Sequence, residues 1–146
     1  MNRYIKFDVE QFLRDSTGWK KQLEGLNAEL ESITEIGGSG GGVPSGGNIS
    51  NPTQNTVLRR QDIEAKITRI TDYQEAFEYA WDRISEYDKD MITGFFFASG
   101  PIYDFVNVWC QEKASNAQYC YRDRNAALNH FRTRIERWMR NKGYDV

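Results

Sequence analysis

A short polar stretch near the carboxyl end carries the side-chain types that read DNA bases. Residues 115–125, SNAQYCYRDRN, combine amide and guanidinium groups. In the major groove, Asn and Gln pair with the edge of adenine, and Arg pairs with guanine. With Ser115 as the N-cap of a helix, the outward side chains of its first turns form one polar surface. These outward residues are Asn116, Ala117, Gln118, Tyr121, Arg122 and Asn125.

The same part of the chain carries the charge that binding to phosphates requires. Residues 113–142 hold eight Lys and Arg against two acids, although the whole chain has a net charge of −2. Three cations, Lys113, Arg124 and Arg132, flank the polar surface. The backbone N–H of Ser115, at the positive end of the helix, suits a phosphate. The later cations have an alternative interpretation as a solvated helix end favoured by the helix dipole, and they are Arg134, Arg137, Arg140 and Lys142. The predicted DNA-binding residues are Lys113, Ser115, Asn116, Gln118, Tyr121, Arg122, Arg124, Asn125 and Arg132.

Two apolar stripes predict the helices that position these residues. The first follows Pro101, which suits the first turn of a helix, and comprises Ile102, Phe105, Val106, Trp109 and Cys110. The second comprises Cys120, Leu128, Phe131, Ile135 and Trp138, with Gly143 just past its end. We therefore predict a helix, a turn of about three residues and a long helix over 101–141. This is the spacing of a helix-turn-helix, whose second helix enters the major groove.

Upstream, the pattern predicts short helices over 8–15 and 88–98 and two long helices over 18–36 and 54–87. The long helices carry heptad seams, at Trp19, Leu23, Leu26, Leu30 and Ile33, and at Ile63, Ile67, Ile70, Phe77, Trp81 and Ile84. Such seams either meet in an antiparallel hairpin within one chain or join two chains in a homodimer, and the sequence does not distinguish these arrangements.

A stretch rich in Gly, Pro and Ser separates the two long helices and predicts a flexible linker. It lacks the GxxxxGK[ST] pattern and the lysine of a phosphate-binding loop. With no credible strand, we predict an all-α fold in three parts. These are an N-terminal helical segment at 1–36, the linker at 37–53, and a helical domain at 54–146 that ends in the helix-turn-helix.

Several classes of protein are disfavoured. His130 is the single histidine, and the carboxylates alternate with cations on helix faces, so we expect no catalytic site, no metal site and no cofactor. No apolar run approaches the ~18–20 residues of a membrane span, and residues 1–16 lack the apolar core of a signal peptide. Cys110 and Cys120 are predicted to pack in the core, which suits a reducing cytoplasm.

Residues 115–131, SNAQYCYRDRNAALNHF, resemble the signature of phage-encoded ArpU/RinA-type late transcription regulators. The matching positions are Ser115, Cys120, Tyr121, Arg122, Arg124, Asn125, Ala127, Leu128 and Phe131. The upstream order is also similar, with an N-terminal helix, a Gly/Pro/Ser-rich stretch and a long helix after Asn51-Pro52-Thr53. Cys120 stands where the family more often has Val or Ile.

The resemblance implies a fold like region 4 of the sigma factors, binding to double-stranded DNA, and control of phage or prophage genes in the cytoplasm of a bacterial host. The expected function is a sequence-specific regulator that activates late genes, with RNA polymerase as a candidate second partner. The alternative is an oligomeric phage assembly protein such as a small terminase subunit, which also combines a helix-turn-helix with helical oligomerisation segments.

Overall fold

The computed structural model describes residues 7–39 and 50–146, and this part of the chain is all-α, with six helices and no strand. The fold class is therefore confirmed. The helices are α1 (Val9–Ser16), α2 (Trp19–Ser39), α3 (Ser50–Trp81), α4 (Glu86–Ile92), α5 (Ile102–Lys113) and α6 (Ala117–Lys142), with a π-helical turn at Thr93–Phe97 directly after α4. The chain divides into two compact units, unit 1 at 1–16 and 75–146 and unit 2 at 17–74.

The C-terminal end of the first long helix and the N-terminal end of the second both extend into the predicted linker. Helix α2 continues to Ser39 and α3 begins at Ser50, so the backbone is helical at 37–39 and 50–53, where we predicted linker. The rest of the predicted linker, 40–49, and the flexibility predicted for it lie outside the described residues.

Unit 2 is an antiparallel helix pair. Trp19 near the start of α2 lies against Tyr73 of α3, with ring centroids 5.9 Å apart. Further along α2, Glu29 forms a 2.8 Å ion pair with Arg59, which precedes Tyr73 in α3. Because the later α2 residue pairs with the earlier α3 residue, the helices run in opposite directions. The two seams therefore meet within the chain, as in the predicted hairpin.

The predicted continuous helix over 54–87 is wrong at its end. Helix α3 stops at Trp81, and α4 starts after Ser85, whose hydroxyl accepts a hydrogen bond of 3.1 Å from the backbone N–H of Asp88. A serine N-cap satisfies an N–H that has no partner inside a new helix, so it favours a restart at this point. The periodicity concealed this break because Ile84, within it, is also buried.

Helix α6 forms the centre of unit 1 and packs on α1, α4 and α5. Its buried stripe contains Cys120, Phe131 and Ile135, each with no exposed surface. Trp138, predicted as the last core residue, is instead half-buried beneath the ammonium of Lys142, and Met139 fills the core position. Met139 follows Ile135 by four residues, the spacing that keeps side chains on one helical face.

The connection between α5 and α6 differs by one residue from the prediction. Ala114 adopts the left-handed conformation at φ +50°, which reverses the chain without a glycine. The N-cap of α6 is Asn116 rather than Ser115, because the Asn116 side chain accepts a hydrogen bond of 3.4 Å from the N–H of Tyr119. At the other end, Gly143 at φ +105° terminates α6, which confirms the predicted stop.

Candidate nucleic-acid interface

The outward face of α6 is a polar strip with helical spacing. Gln118, Arg122, Asn125 and Asn129 are all exposed and follow one another at intervals of four, three and four residues. This spacing places them on one face over about three turns. Three of the four side chains are amides and one is a guanidinium, which are the groups that pair with base edges. We call these four residues the polar strip. Asn129 was missed, although its position four residues after Asn125 was a usable signal.

Arg122 is the cation of the polar strip, and 67% of its side chain is exposed. Its guanidinium lies 4.7 Å from the ring centroid of Tyr119, and its Nε is 3.4 Å from an Asp123 carboxylate oxygen. Exposed contacts of this kind contribute little to stability. Arg122 can therefore exchange them for a base or a phosphate at small cost.

The residues at the start of α6 are arranged differently from the prediction. The N–H of Ser115, expected to bind a phosphate, donates instead to the carbonyl of Cys110 at 3.1 Å. The side-chain oxygen of Asn116 is occupied by the helix cap. The helix N–H groups that follow, at Ala117 and Gln118, are the ones that a helix leaves without internal partners. Lys113 is exposed, with its ammonium 5.3 Å from the ring centroid of Tyr87.

Arg124 and Arg132, which we predicted as phosphate contacts, are less accessible than Arg122. Arg124 is only 20% exposed, forms an ion pair with Glu10 of α1, and lies over the rings of Phe95 and Phe96. Arg132 is 25% exposed, and its Nε is buried 4.0 Å from Glu136, beyond hydrogen-bond range. Arg124 therefore contacts residues outside α6, whereas the acid nearest to Arg132 belongs to α6 itself.

A hydrogen-bonded chain behind α6 ties three helices together. The indole N–H of Trp109 in α5 donates to the hydroxyl of Tyr87 in α4 at 3.1 Å, and that hydroxyl donates to Asp123 of α6 at 2.6 Å. Burial and the hydrogen bond to Asp123 raise the pKa of Tyr87, so the phenol keeps its proton. We call Trp109, Tyr87 and Asp123 the anchor chain. It fixes the helix rotation that turns Arg122 and Asn125 outward.

A second polar contact fixes α6 further along. His130 Nδ1 lies 2.8 Å from a carboxylate oxygen of Asp88, a residue of α4 that is only 8% exposed. The single histidine therefore joins two helices and satisfies a buried carboxylate. Among the described residues, no group of three or more His, Cys, Asp or Glu is arranged to hold a metal ion.

Neither a protein-family model, nor a curated protein, nor a solved structure matches this chain. Within residues 7–39 and 50–146, none of the helices combines the length and apolar character that crossing a membrane demands.

Proposed function

We propose that the chain is a sequence-specific DNA-binding transcription regulator, with α6 as the helix that enters the major groove. The observation that carries this proposal is the polar strip. The three amides and the arginine of this face are exposed, and their side-chain contacts are with neighbouring residues of α6, such as the 3.0 Å hydrogen bond that Arg124 donates to the amide oxygen of Asn125. The polar strip matches the donor and acceptor pattern of base edges, and adenines are the expected partners of its amides.

The surroundings of the polar strip support the same proposal. The segment 113–142 has a strong excess of cations, and one of its two acids, Asp123, is held on the inner flank of α6 by Tyr87. The positive end of α6 begins beside Gln118, where a helix favours a phosphate. Lys113 supplies a further cation on the α5 side. Phosphate contacts then fix the register while the polar strip reads the bases.

The resemblance to ArpU/RinA-type regulators narrows the proposal to control of phage or prophage genes in a bacterial host, with activation of late genes as the expected effect. The small terminase alternative rests on the heptad-patterned pair in unit 2. Light scattering separates the two, because a terminase subunit forms a ring and a regulator of this kind acts as a monomer or dimer.

The test begins with selection of duplexes from a random pool, followed by fluorescence anisotropy on the selected site and on unrelated DNA. Replacement of Arg122 by Ala should weaken binding to the selected site by about 1–3 kcal/mol. It should weaken binding to unrelated DNA by less. Arg137→Ala is the matched control, because Arg137 is an exposed cation of the same helix beyond the polar strip.

Equal losses on the two DNAs would assign Arg122 to phosphate binding only. A wild-type protein that selects no duplex from the pool at low salt would refute the proposed function.

A further inference from the structure

Unit 2 has an open groove along one side of its helix pair, with a volume of about 550 Å³. Leu26 and Gly25 of α2 and Ile70 of α3 form its apolar surface, and charged side chains form its rims. The α2 seam residues Leu23, Leu26 and Leu30 are only half-buried. The two helices thus cover each other's seams incompletely, and Leu26 is the α2 seam residue that lines this groove.

Packing within the chain does not require a glycine at position 25 in the groove. A Cβ built at Gly25 has no heavy atom within 4 Å, so no neighbour requires glycine at this position. Glycine inside a helix is destabilising relative to alanine, so its presence there needs another reason. Absence of a side chain lets another helix approach the groove closely.

The charges on the two rims of the groove are opposite. Glu29 lies on the α2 rim and pairs with Arg59 of the same chain. Lys66, which pairs with Asp62, and Arg69 lie on the α3 rim. The sequence of α2 from 22 to 33 contains acids and no cation, whereas α3 from 56 to 70 has more cations than acids. A second copy of unit 2, related by a two-fold axis, presents its acidic α2 to the basic α3 of the first copy. The groove is therefore complementary to itself, as a symmetric dimer interface requires.

We infer that the chain forms a homodimer in which the grooves of two copies of unit 2 face each other and complete a four-helix bundle. Heptad seams on both helices suit this packing, which buries apolar residues between antiparallel pairs. Val57 and Leu58 of α3, which are 48% and 56% exposed, add further apolar surface to the same unit. This inference does not rest on the DNA-binding proposal.

Sedimentation equilibrium of the full chain tests the inference with Gly25→Arg. Wild type should be a dimer, and the variant should raise the dimer dissociation constant by about tenfold or more, because a charged side chain enters the interface. The fold should persist, since the side chain meets open space in the monomer and Arg favours helix more than Gly does. Circular dichroism checks that the variant keeps the helical content of wild type.

Ala28→Arg is the matched control, since Ala28 is an exposed small residue of α2 on the face opposite the seam. It should leave the dimer unchanged. Arg69→Glu, at an exposed position of the basic rim, should also weaken the dimer and tests the charge argument separately. A wild-type monomer at all concentrations, a higher-order ring, or unchanged dimerisation of folded Gly25→Arg would each overturn the inference. The affinity of the Gly25→Arg monomer for a duplex that holds one half of the selected DNA site tests the DNA-binding role of α6 separately from dimerisation.

Discussion

Arg122 and Arg124 lie two positions apart in the sequence, with Asp123 between them, and the structure gives them opposite roles. The side chain of Arg124 is 20% exposed and that of Arg122 is 67% exposed. We expect Arg124→Ala to destabilise unit 1 and Arg122→Ala to leave its stability nearly unchanged. This contrast tests the correction that the structure makes to the sequence-based assignment, in which both were DNA contacts.

The magnitude follows from the contacts that Arg124 loses. Its guanidinium lies 5.3 Å and 5.5 Å from the ring centroids of Phe95 and Phe96, and each cation–π contact at a partly exposed site contributes roughly 0.5–1 kcal/mol. The ion pair with Glu10 adds up to about 1 kcal/mol. Because Glu10 remains 39% exposed, its carboxylate stays solvated and the large penalty of a buried unpaired charge does not apply. We therefore expect a loss of about 1–3 kcal/mol.

Urea denaturation followed by tryptophan fluorescence and by circular dichroism measures both variants against wild type. Arg122→Ala should lie within about 0.5 kcal/mol of wild type, as for an exposed residue. A double-mutant cycle with Glu10→Gln isolates the ion pair from the ring contacts. If Arg124→Ala proves as stable as Arg122→Ala and loses DNA affinity instead, the ion pair does not hold Arg124 in solution, and the original assignment returns.

Three further changes test the packing around the polar strip. In Gly94→Ala the new Cβ would overlap the ring of Phe105, so we expect the free energy of unfolding, measured in urea, to fall by about 1–3 kcal/mol. Tyr87→Phe should lower stability by about 1–2 kcal/mol at neutral pH. Because the pKa of Tyr87 is raised in the fold, its contribution is present below pH ~10, the pKa of a free tyrosine, and is lost as the pH rises through the raised value. The stability difference between wild type and Tyr87→Phe should therefore shrink in alkaline solution, and a difference that stays constant would contradict this. Burial raises the pKa of the Cys120 thiol, so Ellman's reagent should label Cys120 far more slowly than Cys110, and Cys120→Val should fold with a change of less than about 1.5 kcal/mol.

The elements that the sequence predicted well are those set by local periodicity. The stripes of α5 and α6 recur every three to four residues, and the burial of Val106, Trp109, Phe131 and Ile135 follows from that spacing. Gly143 was predictable as a stop, because its left-handed conformation is costly for other residues. These features need no knowledge of what the helices pack against.

The errors arise where a tertiary contact overrides the local pattern. Arg124 has the charge of a DNA contact, but Glu10 is far away in the sequence, so nothing local indicated their ion pair. The break before α4 depends on the Ser85 cap, whose signal was masked because Ile84 continues the apolar series. The anchor chain joins three helices through polar atoms, which helical periodicity does not report.

Within α6, two anchoring residues lie between two outward residues of the polar strip. Arg122 and Asn125 face outward, and between them Asp123 bonds to Tyr87 while Arg124 pairs with Glu10. Adjacent residues lie about 100° apart on a helix, so two anchors directed to different neighbours fix its rotation. A fixed rotation matters most for amide side chains, since their paired hydrogen bonds to a base tolerate little displacement. On the proposed function, the polar contacts between the helices of unit 1 contribute to DNA discrimination as well as to stability, because they hold the polar strip in one orientation.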